Sequence, residues 1–108
     1  MKWTKDANAN GTHLVGTVNT TYDELVQCFG EPDLYNGDKT NVEWCLEFAD
    51  GTVATIYDWK MPEVPYGYYD WHIGGKSYLA VERVQDAMLE PLTQMIKEYG
   101  DNAQYHGA

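Results

Sequence analysis

Cations are what this chain has least of. Seven Lys and Arg stand against seventeen Asp and Glu, a formal charge of −10 at neutral pH. Neutralising phosphates takes a basic face, so the expectation is a protein that does not bind nucleic acid directly. The same charge disfavours an anionic membrane surface. Cysteine is nearly as scarce. Cys28 and Cys45 are the only two, there is no CxxC, and His13, His72 and His106 form no HxxxH. The spacing of a zinc site, or of a thiol nucleophile with its base, is therefore missing. The two thiols read as free, buried side chains of a reducing compartment. There is neither a run of eighteen apolar residues nor an apolar leader core, so the expected setting is the cytoplasm. Internal repeats are absent, low-complexity sequence is confined to the ends, and 108 residues suffice for one core. No residue set calls for a metal or a cofactor.

What is there centres on VEWCLEFADGTVATIYDW, Val42 to Trp59. Asp50-Gly51 suits a two-residue type I′ turn between two strands. That turn would set Phe48 opposite Val53, Leu46 opposite Thr55 and Trp44 opposite Tyr57. Trp44, Leu46, Phe48, Val53, Tyr57 and Trp59 would then share the core face. Glu43, Cys45, Glu47, Ala54, Ile56 and Asp58 would lie on the other.

Residues 1–11 read as a flexible polar arm anchored by Trp3, 12–100 as a single domain, and 101–108 as a flexible tail. His13 to Val18 suits a strand. Thr21 and Glu24 form a capping box for a short helix that Gly30 and Pro32 end. Asn36-Gly37 marks a turn into the hairpin. Met61 to Gly67 is a proline-containing loop, and Tyr68 to Ile73 a last strand released by Gly74-Gly75. A helix is expected from Ser77 to about Tyr99, with Val81, Val84, Met88, Leu92, Met95 and Tyr99 as its apolar stripe. Pro91 either kinks or divides it. The expected fold is α+β: an antiparallel sheet of about four strands with helices on one face, in the order β-α-β-β-β-α.

Two features bear on function. Between Asp23 and Asp70 lie eleven acids and only Lys39 and Lys60, leaving nine negative charges uncompensated. Trp59, Tyr66, Tyr68, Tyr69 and Trp71 fall within thirteen residues, too many rings for both faces of a small sheet to bury. Tyr and Trp dominate binding hot spots. Glu43, Glu47, Asp58, Trp59, Tyr66, Tyr68, Tyr69, Asp70, Trp71 and His72 are thus the candidate partner-binding residues. Asp58, Asp70 and His72 could in principle act as acid and base. Carboxylates so abundant make their adjacency uninformative, and the chain reads as non-enzymatic. Gly74-Gly75-Lys76-Ser77 lacks the glycine a phosphate loop needs five residues before Gly75, where Asp70 stands. Its amides could still hold an anion at a helix start, with Trp71 stacking a base.

The phrases TTYDELVQCFGEP, the EW…F.DGTVATIYDWK hairpin and WHIGG together resemble small accessory proteins carried by bacteriophages, over Thr12 to Met88. The resemblance implies action in the bacterial host cytoplasm and brings no active site to carry over. A looser likeness, a helix ending in GEP before a hairpin, is shared with small lipoproteins of outer-membrane assembly. Their lipid-attachment cysteine and second leading helix are missing here. By acidic composition and presumed origin, though not by motif, the chain is similar to anti-CRISPR proteins.

The expectation is therefore an acidic inhibitor of a host or defence protein, its carboxylates standing in for phosphate against a basic surface. The alternative is a sponge for a small molecule or nucleotide signal, built on Trp71, Gly74, Gly75, Lys76 and Ser77. A structural or self-assembling domain is the third possibility, and homo-oligomers stay open.

Overall fold

The computed structural model describes residues 2–5 and 7–89. It contains β1 (Trp3–Thr4), β2 (His13–Thr20), α1 (Tyr22–Phe29), β3 (Leu34–Tyr35), β4 (Val42–Phe48), β5 (Val53–Tyr57) and β6 (Tyr69–Gly75). A second helix, α2, covers residues 79–89. All pairings are antiparallel, in the order β1-β4-β5-β6-β2, with β3 also on β4. The expected fold is corrected on two counts. The sheet has six strands, not about four, and the order is β-β-α-β-β-β-β-α. The additional strands are two residues each. They come from the N-terminal arm (β1) and from the turn-rich connection before the hairpin (β3), stretches too short to carry a period-2 signal.

One face of the sheet holds the core. Val42, Trp44, Leu46 and Phe48 of β4, Ala54 and Ile56 of β5, and Trp71 and Ile73 of β6 are buried there. Leu25 and Phe29 of α1 and Ala80, Val81, Val84 and Ala87 of α2 complete the cluster. The indoles of Trp44 and Trp71 meet edge to face, centroids 5.6 Å apart. Trp44 Nε1 donates to the Gly30 carbonyl at 2.9 Å, and Trp71 Nε1 to the Thr20 carbonyl at 3.2 Å. These carbonyls flank the two ends of α1, so each tryptophan holds one end of the helix on the sheet. Over the other half of the sheet, α2 lies close because Gly16 and Gly75 leave room. A Cβ at Gly75 would come within 2.5 Å of Ala80 Cβ, and one at Gly16 within 2.7 Å of Val81 Cγ2.

Local chemistry explains the ends of α1. The Thr21 hydroxyl accepts the Glu24 amide at 3.2 Å, as the capping box requires. The Glu24 carboxylate accepts from the Thr20 hydroxyl instead of returning to the cap amide. Gly30, at φ 78°, donates its amide to Val26 and ends the helix. At the start of α2 the Ser77 hydroxyl accepts the Leu79 amide at 3.3 Å. Val81 and Val84 of the expected stripe are buried and Met88 is half-buried. Pro91, Leu92, Met95 and Tyr99 lie outside the described residues, as does the expected tail.

The hairpin is where expected but its register is not. Trp44 pairs with Ile56, Leu46 with Ala54 and Glu43 with Tyr57, a shift of one residue. The turn has three central residues, Ala49, Asp50 and Gly51. The Phe48 carbonyl receives the Gly51 amide, the Phe48 amide bonds the Thr52 carbonyl, and only Gly51, at φ 87°, is left-handed. Asp50 accepts the Thr52 amide at 3.0 Å and pairs with Arg83 of α2 at 2.8 Å, which favours this turn over the two-residue form. A one-residue slip exchanges the faces of a whole strand. Ala54, Ile56 and Asp58 therefore point into the core, and Val53, Thr55 and Tyr57 face away.

A second correction concerns Gly74-Gly75. Both are buried residues of β6, paired with Thr55, Leu14 and His13, and do not release the chain. In β2 the register shifts at Val15, placing Leu14 on the face opposite Gly16 and Val18.

A Cβ added at Gly51 would meet no atom within 4 Å, so the requirement for glycine there is purely one of backbone conformation. Gly51→Val should destabilise the domain by about 1–2 kcal/mol. The urea midpoint should fall accordingly, with the slope unchanged.

Candidate functional site

No helix covers the second face of the sheet among the described residues. Across it run Leu34, Glu43, Tyr57, His72 and Thr17 in one row, and Cys45, Thr55, Gly74 and Leu14 in the next, with Glu47 beyond on β4. Strand pairing alone sets these rows, because Cα partners in antiparallel strands share a face.

The aromatic end of this face is tightly connected. Tyr57 and His72 stack with centroids 5.5 Å apart and planes 24° from parallel. Trp59 sits edge to face against Tyr57 at 6.2 Å. The Tyr69 hydroxyl receives the Trp59 amide at 3.1 Å and lies 3.4 Å from His72 Nδ1. Lys39 and Lys60, the two cations of the acidic segment, reach the same indole, their Nζ atoms 5.6 and 5.9 Å from the Trp59 centroid. Such contacts contribute roughly 0.5–1 kcal/mol at exposed sites. Lys60 adopts φ 55°, and its amide bonds the Lys39 carbonyl at 2.8 Å.

Acids dominate the β4 side. Burial, and then the Asp33 carboxylate, push the Glu43 carboxyl above its ordinary value. Burial with the Glu43 and Asp33 charges raises Cys45 to about 11, so it stays a thiol at neutral pH. That environment is the reverse of the electropositive one a nucleophilic cysteine needs. Burial, then Glu24, raises Cys28 as well. Both cysteines are free. Among the described residues no three His, Cys, Asp or Glu side chains gather as a metal ion would require.

The expected site residues separate into groups. Glu43, Glu47, Trp59 and His72 lie on or beside the uncovered face, while Tyr69 packs on the core side against Trp71 at 5.4 Å and reaches Trp59 and His72 with its hydroxyl alone. Asp70 is exposed near the far edge, where it accepts from Asn19 Nδ2 at 2.9 Å. Tyr68 is 73% exposed, while Tyr66 packs on Tyr22 at 5.3 Å, on the helix-bearing side. Trp71 is fully buried in the core and presents nothing to a partner. Asp58 is equally buried: it accepts the Asn41 amide at 2.8 Å, Asn41 Nδ2 at 2.6 Å and the Val42 amide at 3.2 Å. It is a structural joint, not an exposed acid. For the alternative site, Gly74 and Gly75 are inside the sheet and Trp71 is in the core, which leaves exposed Lys76 and Ser77 without the rest. Lys39 and Tyr57 join the site without having been expected there; Lys60, one of the few cations near enough in sequence to counter an anion on the alternative reading, joins them. The only sequence signal for the lysines is that they are the sole cations between Asp23 and Asp70.

No protein-family model, curated protein or solved structure matches the chain.

Two stability measurements test these assignments. Asp58→Asn replaces one acceptor oxygen by a donor facing N–H groups and should cost about 2–3 kcal/mol, whereas Glu47→Gln should stay within about 0.5 kcal/mol. Glu43 behaves differently. Its folded-state pKa is raised, so ionising it disfavours the fold once pH climbs above the ordinary carboxylate value of 4.5. Glu43→Gln should therefore stabilise the protein at neutral pH. The difference from wild type should vanish below that value, where the carboxyl is protonated in both states. Urea midpoints at the two pH values read the effect.

Proposed function

We propose that this chain is a non-enzymatic binding protein that occupies a basic, nucleic-acid-binding surface of another protein with the uncovered face of its sheet. The observation that carries the reading is the placement of Glu43 and Glu47 on that face, Glu43 directly across from the Tyr57 that stacks on His72, with no helix above them among the described residues. Two acids four residues apart on a strand stand roughly 13 Å from each other. Here β4 is paired on both sides, by β5 and by β1 and β3, so their positions are fixed before any partner arrives. Charge steers the encounter and the rings supply contact area. The resemblance to phage accessory proteins suggests the target class: a host or defence protein in the bacterial cytoplasm, inhibited when its nucleic-acid channel is filled.

Fewer acids serve this role than the composition suggests. Asp58 is internal, Asp50 pairs with Arg83, and Asp33 accepts the Cys45 amide with Lys5 3.9 Å away.

A second reading keeps one observation in its favour. Among the described residues Trp59 with Lys39 and Lys60 is where a ring and two cations coincide, so capture of an anionic small molecule would shift there from the glycine pair.

One variant separates the two readings. Glu43→Gln/Glu47→Gln should slow association with a basic protein captured from bacterial lysate, with a loss that shrinks as salt rises. Capture of an anionic small molecule should be unchanged or tighter in the same variant and impaired by Lys60→Ala. Association rates at two salt concentrations check the first outcome, and tighter protein binding after charge removal would overturn the reading.

A further inference from the structure

We propose that Tyr22, Tyr35, Tyr66 and Glu31 form a binding site for an alkylated ammonium group, on the helix-bearing side of the sheet and independent of the uncovered face. Tyr22 opens α1, Glu31 follows its end, and Tyr35 lies on β3. Because Tyr35 pairs with Val42, a core residue, it stands on the helix side, whereas its neighbour Leu34 faces away. Tyr66 comes from the proline-containing loop and meets Tyr22 with centroids 5.3 Å apart and planes at 73°. Tyr22 in turn rests on the buried Trp44 at 5.8 Å, which fixes it as the inner wall. The Tyr35 hydroxyl donates to the Glu31 carboxylate at 3.4 Å. Burial first, then the Glu31 charge and the Tyr35 and Tyr66 phenols, raise the Tyr22 phenol above its ordinary value, so the four groups share one corner.

The ligand class follows from what this corner offers. Ring faces attract a cation through their quadrupole but give it no hydrogen bond in exchange for its water. A bare ammonium, with three N–H groups to satisfy, is poorly served there. A methylated one has fewer or none, and its methyl groups pack against the rings. The carboxylate supplies the opposite charge and can accept any N–H that remains. Glu31 also repels an anion, and a neutral apolar ligand would leave its charge uncompensated. Tyr35 and Tyr66 are 54% and 66% exposed, so both rings are reachable from solvent and little of their area serves the core. Lys5 does not fill the place: its Nζ donates to the Glu31 carbonyl and lies 3.9 Å from Asp33 Oδ1. Free quaternary amines and methylated lysine side chains carry the same group, and either could supply it.

Titration of the full chain, followed through its tyrosine ring resonances, tests this. The probes are choline, its uncharged tert-butyl isostere, and a peptide with one trimethyllysine beside the same peptide with plain lysine. Choline and the methylated peptide should bind saturably, and the isostere and the plain peptide about fivefold or more weakly than their methylated cation counterparts. Tyr35→Ala and Tyr66→Ala should each weaken binding by a similar factor. Both rings are exposed, so the circular dichroism spectrum and urea midpoint should stay as in wild type. Glu31→Gln should also weaken binding, and more so at low salt. Tighter binding of the methylated peptide than of choline assigns the group to a modified protein, and the reverse order assigns it to a free amine. The proposal is overturned if neither methylated cation binds, or if the isostere or the plain peptide binds equally well. Binding that survives Tyr35→Ala/Tyr66→Ala overturns it too, because it must use another surface.

Discussion

The contact on which the rest of the structure depends is the crossing of Trp44 and Trp71. Each ring supplies the large apolar area that a small domain needs. Each indole N–H then finds a carbonyl at one end of α1, Gly30 for Trp44 and Thr20 for Trp71. A helix of eight residues is too short to persist alone in water. It exists here because its buried face, Leu25 and Phe29, meets the sheet and its ends are held from below. The same two rings come from β4 and β6, with β5 between them, so the pair also spans the centre of the sheet.

With both described helices drawn to that side, the opposite face carries polar and aromatic side chains with Leu14, Leu34 and Val53 among them. Among the described residues its character is set by strand pairing, not by any covering element. Glu43, Cys45 and Glu47 keep one another on that surface by simple alternation along β4. The stack of Tyr57 on His72 follows from β5 pairing with β6. Acid and ring are thus neighbours because of register, and a change in register would have dispersed them.

Register is also where the sequence stops being legible. The hairpin, the capped short helix and the last strand can all be read, because Asp50-Gly51, Thr21 with Glu24, and Gly30 with Pro32 are local signals. Register is not local. Val53, Thr55 and Tyr57 make as plausible an inner row as Ala54, Ile56 and Asp58, so an assumed turn length decides between them, and the two-residue turn decides wrongly. The signal that settles the matter lies thirty-three residues away, in the Arg83 guanidinium that holds Asp50. The error then propagates to the site. With the wrong register Asp58 reads as an exposed acid, and ring density alone makes Trp71 an exposed ring. Glu43, Glu47 and His72 can be placed correctly without knowing the register of β5, whereas Trp59, assigned to the core face with Val53 and Tyr57, lies exposed beside the opposite one.

Asp58 has one more consequence. Its carboxylate ties Asn41 and Val42, at the end of one loop, to the start of another, while Asn41 Nδ2 reaches the Met61 carbonyl at 3.0 Å and the Lys60 amide reaches the Lys39 carbonyl. The loops carrying Lys39 and Lys60 are therefore joined below Trp59 and cannot move independently. The backbone beneath both lysines is ordered during folding, so a ligand meeting them loses less of its binding free energy to entropy. In that sense a buried acid, invisible from outside, sets how rigid the exposed aromatic end is.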